Sequence, residues 1–243
     1  MKNSNGPRYV PAPMQGQSTI GRDTSRNLSG RDRNAIADTI RMDITRGRLA
    51  FGQRIPEGDY AQAFGVSRTP VREAIMMLAS LDLVTIRPKY GTFVTSFTRR
   101  RLRDVFDARY LIESGGVALC SKYQLIKLNA ALDVKLGEMR QAELARDHDM
   151  NHDLDTAFHR LLVEAPGNEQ LLRMFRPVEV CVMAARCQFQ RADWVWTTAA
   201  SQHEAIVEAL RKNDLEAFRL ALREHLTWSR DALLDVPNLF TES

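Results

Sequence analysis

The order of patterned segments between residues 36 and 94 most strongly limits what this chain can fold into. An isoleucine recurs every four residues between Ile36 and Ile44. This spacing predicts a helix over residues 33–46 with one buried stripe. After a loop, a second and shorter helix is expected near residues 58–64.

A turn and a third helix follow in FGVSRTPVREAIMMLASLDL, residues 64–83. Gly65 is expected to turn the chain, Thr69 to cap the helix and Pro70 to take its first position. Its apolar positions should be buried: Val71, Ile75, Leu78, and Met77 or Ala79. LVTIRP and GTFVTSF then predict two short strands joined at residues 88–91. Helix, helix, turn, helix and hairpin is the order of a winged helix-turn-helix.

Four hydrogen-bonding side chains begin the third helix: Ser67, Arg68, Thr69 and Arg72. A recognition helix enters the major groove of DNA with its N-terminal residues leading. There an arginine can pair bidentately with guanine, and hydroxyl groups suit phosphate oxygens. Any one of these side chains alone would more often cap or solvate a helix. Together, after a helix and a turn and before a hairpin, they favour double-stranded DNA as the partner.

Basic charge is concentrated in the N-terminal part of the chain. Residues 1–30 carry four Lys or Arg and one acidic residue, residues 31–97 carry ten and seven, and residues 98–243 carry twenty and twenty-two. This asymmetry supports an anionic partner for the N-terminal part alone. The first 30 residues, rich in Asn, Ser, Gly, Pro and Gln, are expected to be a disordered arm, either solvated or in contact with DNA phosphates.

The composition indicates a globular protein, with 44% hydrophobic and 26% charged residues. No apolar run approaches the length of a membrane span, and the first residues lack the hydrophobic segment of a secretory signal. The three cysteines are an odd number without CxxC spacing, which predicts reduced thiols. A cytoplasmic protein without membrane contact is expected.

The remainder of the chain has no strand pattern. Six helices are predicted, over residues 98–121, 124–145, 149–165, 168–191, 194–211 and 214–235. Pro177 is expected to kink the fourth of them. The predicted fold is therefore mainly α, with a winged helix-turn-helix over residues 31–97 and an all-helical bundle over residues 98–243. Bundles build ligand sites from side chains on facing helices.

Three of the predicted helices carry candidate metal ligands. Asp155 and His159 are four residues apart and share a helical face, while His203 and His225 lie on the apolar faces of their own helices. One carboxylate and three imidazoles suit zinc or nickel, with manganese or iron as alternatives, and leave positions open for an outside ligand. Each residue alone would more often be a hydrogen-bonded core or capping residue, so the pattern leaves both interpretations open.

The segment GRLAFGQRIPEGDYAQAFGVSRTPVREAIMMLASLDLVTIRPKYGTFV resembles the DNA-binding domain of the GntR superfamily, most specifically at GVSRTPVREAI. The resemblance implies these DNA contacts: Arg68 and Arg72 to bases or phosphates, Ser67 and Thr69 to phosphates, and Tyr90 and Gly91 of the wing in the minor groove. The chain departs from the family at two positions. Gly58 stands where an arginine is common, and Asp82 stands where a glycine is usual.

The segments DTAFHRLLVEAPGNEQL and QHEAIVEALRKNDLEAFRLALREHL resemble the FCD ligand-binding domain of the FadR branch of that superfamily. Many members bind a metal ion through one Asp and three His, and the resemblance assigns these positions to Asp155, His159, His203 and His225. It implies a homodimeric transcriptional regulator that reads an inverted-repeat operator. A metal ion and a small carboxylate effector would modulate operator binding.

Arg109 is a candidate effector-binding residue, because the family tends to place an arginine in the first helix of this domain and a guanidinium pairs with carboxylates. Its alternative role is a salt bridge to Glu113, one turn along the same helix. Both roles stay open. His148 and His152 lie near the start of the helix that carries Asp155, and both are expected to be solvated, with a surface metal site as the minor alternative.

An enzyme is the main alternative to a regulator. A metal-dependent hydrolase or lyase could use the same Asp and His residues to activate water. Such an enzyme needs a general base beside the bound water, and no HExxH-like spacing supplies one. A structural nucleic-acid-binding protein, in which the bundle only dimerises, is a third alternative. A regulator without enzymatic activity is the favoured interpretation.

Overall fold

The structure of the chain is a computed structural model that describes residues 33–187, residues 193–236 and Phe240, with the backbone alone for residues 193–197. The arm predicted over residues 1–30 lies outside this part. In chain order the elements are α1 (Arg33–Thr45), α2 (Glu57–Ala63), α3 (Arg68–Ala79), β1 (Val84–Arg87), β2 (Gly91–Val94), α4 (Arg99–Ala118), α5 (Lys122–Leu144), α6 (His148–Glu164), α7 (Glu169–Arg186), α8 (Asp193–Arg211) and α9 (Leu215–Leu234). A winged helix-turn-helix followed by a helical bundle is thereby confirmed.

The N-terminal unit packs α1 against α3 and closes its core with the wing. Strands β1 and β2 are antiparallel, with Val84 opposite Val94. The start of α3 differs from the prediction, because the helix begins at Arg68 and Ser67 is the N-cap, although its side chain makes no capping hydrogen bond. The expected cap Thr69 therefore lies inside the first turn.

The buried face of α3 also differs from the prediction in one respect. Val71, Ile75 and Leu78 are buried as expected, but the fourth buried position is Ala74. Met77 is 39% exposed and therefore lies outside the buried face. The hydrophobic spacing therefore identified the helix but assigned one core position incorrectly.

Asp82, in the turn before β1, explains one departure from the family pattern. Its φ is +59°, in the left-handed region where glycine is the usual residue and Asp is among the few tolerated alternatives. The backbone conformation is kept although the residue differs. Gly91, at the start of β2, has a φ of +117°, which a residue with a side chain would rarely adopt.

The bundle is formed by α4 to α9, and its helix boundaries lie within five residues of those predicted. Helix α7 continues through Pro177. Close packing of α4 on α6 depends on Gly116, because a Cβ added there would lie 2.8 Å from the carbonyl oxygen of Leu162. This approach brings the buried face of α4 directly against α6.

Helix α7 belongs to the cores of both units. Its Val180 and Ala184 pack into the hydrophobic cluster of the N-terminal unit, whereas Val182 and Ala185 pack into that of the bundle. Directly after the helix, the Cys187 sulfur lies 3.6 Å from a backbone oxygen of α1. The two units are therefore joined by packing as well as by the chain. In the part of the chain that the structure describes, no helix is long and apolar enough to cross a membrane.

Candidate metal centre and DNA-binding surface

Three helices of the bundle bring the four predicted metal ligands together in its interior. Asp155 and His159 come from α6, His203 from α8 and His225 from α9. One ligand atom of each residue lies within 4.8 Å of the others, and each residue is at most 2% exposed. The residues that the sequence spacing and the resemblance group together are therefore neighbours in the fold.

The imidazole nitrogens of this group face one another. His159 Nε2 lies 3.1 Å from His225 Nε2 and 3.4 Å from His203 Nε2. His159 Nδ1 is 2.7 Å from a Glu113 carboxylate oxygen. Similarly, His225 Nδ1 is 3.0 Å from Gln202 Oε1. Both partners are acceptors, so each Nδ1 carries the proton and the facing Nε2 atoms present lone pairs. A cation between these atoms would remove their repulsion.

The protonation state of the three histidines suits a metal ion. Burial, followed by nearby positive charge, lowers the pKa of His159, His203 and His225 well below the usual range. Neutral imidazole is the form that coordinates metals, because the ring nitrogen must offer its lone pair. His203 Nδ1 is buried without a hydrogen-bond partner. Three neutral imidazoles and one carboxylate form a donor set that fits zinc and its neighbours among the transition metals.

Glu113 of α4 binds the Nδ1 atom of His159 and is itself held by Arg109 of the same helix. Arg109 Nε donates to Glu113 Oε1 over 2.7 Å, and the other carboxylate oxygen accepts from His159. Burial raises the pKa of Glu113 to about 7, and the charge of Arg109 opposes this shift. A carboxylate that accepts from the non-coordinating ring nitrogen of a ligating histidine fixes the orientation and tautomer of the ring. The predicted salt bridge of Arg109 is thus present.

Asp155 has a cationic neighbour that the sequence did not suggest. Arg186, the last residue of α7, forms an ion pair with Asp155 Oδ2. Asp155 Oδ1 lies 3.4 Å from His203 Nε2. Burial and the positive charge of Arg109 lower the pKa of Arg186 to about 9, so it remains a cation near neutral pH. Asp155 therefore lies between the imidazole cluster and a buried guanidinium.

A narrow cavity opens beside this cluster. It is lined by Arg109, Asp155, Thr156, His159, Phe175, Glu179, Val182 and Met183. Although its Nε is committed to Glu113, Arg109 also has a buried Nη1 atom without a hydrogen-bond partner. Glu179 is already paired with Arg160 of α6. The cavity is therefore lined by an arginine with an unpartnered Nη1 and by two of the candidate metal ligands.

The expectation that His152 is solvated is wrong. This residue is 1% exposed, and neither ring nitrogen has a hydrogen-bond partner. Burial, followed by the charges of Arg186 and Arg46, lowers its pKa to about 3, so the ring is neutral. His152 lies where α6 meets the N-terminal unit, since Arg46 at the end of α1 pairs with Asp153 over 2.6 Å. The helical pattern of α6 could not reveal this second packed neighbour.

The predicted DNA-contacting residues of α3 all lie on an exposed surface. Ser67, Arg68, Thr69 and Arg72 are exposed at or near the helix start. Arg72 Nε lies 3.5 Å from a carboxylate oxygen of Glu57, whose other oxygen accepts from the Thr92 hydroxyl over 2.7 Å. Glu57 thus links α3 to the wing. The Arg72 side chain is 68% exposed although it contacts Glu57.

The wing adds positive charge that sequence reasoning missed. Tyr90 at its tip is 75% exposed. Arg54, Arg87 and Lys89 are exposed beside it. The guanidinium of Arg54 lies over Gly91, where an added Cβ would come within 2.9 Å of its Nε. Arg54 pairs with β2 through an isolated bridge at Phe93, which is a contact between distant segments and so leaves no local sequence signal.

Comparison with known families decides the class of this protein. Residues 32–94 match the family described as "Bacterial regulatory proteins, gntR family", and residues 104–227 match the FCD domain. The chain belongs to the GntR family of bacterial regulatory proteins. A buried group of three histidines and one aspartate in the FCD domain of this GntR regulator could hold a metal ion.

Curated relatives of this GntR regulator include operon repressors. It is 31% identical over 192 residues to a protein of Paenarthrobacter nicotinovorans assigned as repressor of a D-xylose utilization operon, covering 79% of this chain and 84% of that protein. It is 24% identical over 206 residues to the gluconate operon transcriptional repressor of Bacillus subtilis, covering 83% and 84%. These relatives and the fold indicate a DNA-binding transcription regulator rather than an enzyme.

Solved structures share the fold of this GntR regulator. A GntR transcriptional regulator from Rhodococcus sp. RHA1 superimposes with a TM-score of 0.70 at 22% identity, covering 83% of this chain and 97% of that one. The E. coli McbR/YncC structure gives a TM-score of 0.69 at 21% identity, covering 83% and 96%. The arrangement of a winged unit before a helical bundle is therefore shared with both.

Proposed function

We propose that this GntR regulator is a cytoplasmic repressor whose FCD domain holds a divalent metal ion and a small carboxylate effector. Asp155, His159, His203 and His225 would hold the metal, zinc or nickel in preference to manganese or iron. The observation that carries this proposal is the 3.1 Å distance between the facing Nε2 atoms of His159 and His225, which a bound cation would stabilise. A metal there supplies an electrophilic position that an oxygen ligand can take.

The residues behind the ligands keep the site ready for the metal. Glu113 holds His159 and Gln202 holds His225, each by its Nδ1 atom, so both rings keep Nε2 directed inward. Four protein ligands leave one or two positions of a five- or six-coordinate ion for an outside donor. A carboxylate oxygen suits such a position.

Arg109 would complete recognition of the carboxylate. Its Nε holds Glu113 and its buried Nη1 has no partner, while the residue lines the cavity together with Asp155 and His159. One arginine can serve both roles because a guanidinium has five donors. One relative is named as the repressor of the gluconate operon, and gluconate belongs to the proposed class of small carboxylates.

For operator binding we assign direct DNA contacts to the exposed helix start and the wing. Arg68 and Arg72 would read bases or phosphates, Ser67 and Thr69 would contact phosphates, and the wing at Tyr90 and Gly91 would enter the minor groove. A homodimer would place two such units on the half-sites of an inverted repeat. Effector binding would act by shifting the spacing of these two units, with a coupling of about 1 to 3 kcal/mol.

Metal analysis together with operator titration tests the proposal. Purified wild type should hold about one metal ion per chain, and His203→Ala should hold none while still binding the operator. A thermal-shift screen of small carboxylates should find hits in zinc-loaded but not in metal-stripped wild type. Those hits should change operator affinity in wild type only.

Glu204→Ala is the matched control for this experiment. Glu204 is adjacent to His203 but lies on the exposed side of α8, where it pairs with Arg140. This variant should keep both the metal and the effector response. A His203→Ala protein that holds no metal yet responds fully to a carboxylate would refute the role of the metal.

A further inference from the structure

Arg186 connects the candidate metal centre to the helix that both units share. Its side chain is 11% exposed and pairs with Asp155 Oδ2, while the other oxygen of that carboxylate faces His203. The same carboxylate therefore faces the imidazole donors on one side and a guanidinium on the other. Arg186 is also the last residue of α7. A change in its ion pair would act on the end of that helix.

The end of α7 is where the bundle meets the DNA-binding unit. Val180 and Ala184, on the last two turns, are 3% and 0% exposed in the core of the N-terminal unit. The Sγ atom of Cys187, the residue after Arg186, lies 2.9 Å from the carbonyl oxygen of Ala184 and 3.6 Å from that of Ile44 in α1. Helix α1 in turn packs on the recognition helix α3. Arg186 is thus one residue away from a contact with the DNA-binding unit.

The charges around Arg186 determine how it responds to ligands. Asp155 is its direct ion-pair partner, and Arg109 is a second buried cation of the same site. A divalent cation held by Asp155 would draw the carboxylate charge away from Arg186 and would also repel its guanidinium. An anionic ligand beside that cation would reduce the repulsion. Metal and effector therefore act on this ion pair with opposite sign.

We propose that Arg186 transmits the charge of the metal centre to the DNA-binding unit through α7. Metal binding weakens the Arg186–Asp155 ion pair and loosens the end of α7 from α1, whereas a bound carboxylate restores the pair. The proposal rests on the metal site described under the proposed function. It differs from a role in which Arg186 only orients Asp155 for the metal, because the two roles predict opposite effects on metal affinity.

Zinc affinity separates these two roles. Arg186→Met removes the competing cation but keeps the length of the side chain, so zinc should bind at least tenfold more tightly than in wild type, measured by competition with a chromophoric chelator. Arg186→Lys keeps the charge and should stay close to wild type. Arg173→Met removes an exposed arginine of the same helix, paired with Glu169, and should change nothing. Equal or weaker zinc binding by Arg186→Met would overturn the proposal.

Operator titration tests the transmission itself. In wild type, saturating zinc should change the operator dissociation constant by about fivefold or more, the lower end of typical allosteric coupling. In Arg186→Met, zinc should bind but leave the operator dissociation constant unchanged within about twofold. Retention of the full zinc effect in this variant would also contradict the proposal.

Amide hydrogen exchange of unmodified protein gives a measurement that does not depend on how the variants fold. Zinc should speed exchange of the amides at residues 182–187, while amides of α8 and α9 that carry the ligands exchange more slowly. Slower exchange at both places would show that the end of α7 tightens, and the proposal would then be wrong. If wild type binds no zinc at all, the proposed metal site fails, and that outcome is distinct from zinc binding without any effect on α7.

Discussion

The winged helix-turn-helix unit and the FCD bundle bury polar groups to different extents. In the winged unit the buried polar residues are Asp43, Thr45 and Thr92, and the residues assigned to DNA are exposed. In the bundle they are Arg109, Glu113, Ser114, Asn151, His152, Asp155, His159, Glu179, His203, His225 and Ser229. The bundle therefore builds its candidate site from its own core.

Because of this difference, binding and stability depend on different residues in the winged unit and on the same residues in the bundle. The side chains predicted to contact DNA are exposed, so they can change without disturbing the fold. In the bundle, Arg109 pairs with Glu113 and Asp155 pairs with Arg186, so removing one of these groups leaves its partner unpaired in a medium of low polarity. Substitutions should therefore affect binding alone in the winged unit, and both binding and stability in the bundle.

The largest expected effect is that of Glu113→Ala. This change leaves Arg109 buried without its ion-pair partner and His159 without its acceptor, so the free energy of unfolding should fall by about 3 to 5 kcal/mol. Urea unfolding of metal-stripped protein measures it. Glu57→Ala, which removes the half-buried carboxylate of the winged unit, is the matched control and should cost clearly less. Equal losses would remove the contrast between the two units.

Arg68→Ala and Arg72→Ala should show the converse behaviour. Each should weaken operator binding by about 1 to 3 kcal/mol, because a base-reading arginine contributes about that much. Their urea midpoints should match that of wild type, since both side chains are exposed. Gel-shift titration against the cognate operator, at one fixed salt concentration, measures the loss. Two variants that bind like wild type would refute the assignment of α3 as the recognition helix.

His152 gives the bundle a pH dependence on the acid side of neutrality. Its folded pKa of about 3 lies below the unfolded value of 6.5, so its neutral form stabilises the fold above pH 6.5, and this contribution is lost as the pH falls towards 3. At pH 5 the loss from this residue alone is about 2 kcal/mol. His152→Leu should reduce the fall in unfolding free energy between pH 7.5 and pH 5 by that amount. An unchanged pH slope would mean that the imidazole is solvated after all.

The smallest expected effect compares two N-cap residues. Asp214 caps α9 through a 2.9 Å hydrogen bond from the Ala217 amide, so Asp214→Ala should cost about 1 kcal/mol of stability. Ser67 caps α3 without any side-chain hydrogen bond, so Ser67→Ala should cost less than about 0.5 kcal/mol. The operator affinity of Ser67→Ala should nevertheless fall, which would show that the Ser67 hydroxyl contacts DNA. Equal stability costs in thermal unfolding would contradict this.

The sequence predicted the helices well because they depend on local spacing, and the resemblance to the FCD domain selected four residues that the fold brings together. A four-residue interval places Asp155 and His159 on one face, and apolar neighbours turn His203 and His225 inward. Arg186 and Glu113 were not predicted as parts of the site. Each reaches it from a different helix, and only tertiary packing brings those helices together. The same reason hid Arg54 beside the wing and the burial of His152.

Helix α7 has a consequence for how the protein folds. Because Val180 and Ala184 complete the core around α1, a fragment ending near residue 97 would leave apolar surface of the winged unit open to water. The fragment would be less stable than the same unit within the whole chain and more prone to aggregate. In the intact protein, unfolding of the bundle removes Val180 and Ala184 from the core of the winged unit. The two units should therefore melt in one cooperative transition, although they match two separate families.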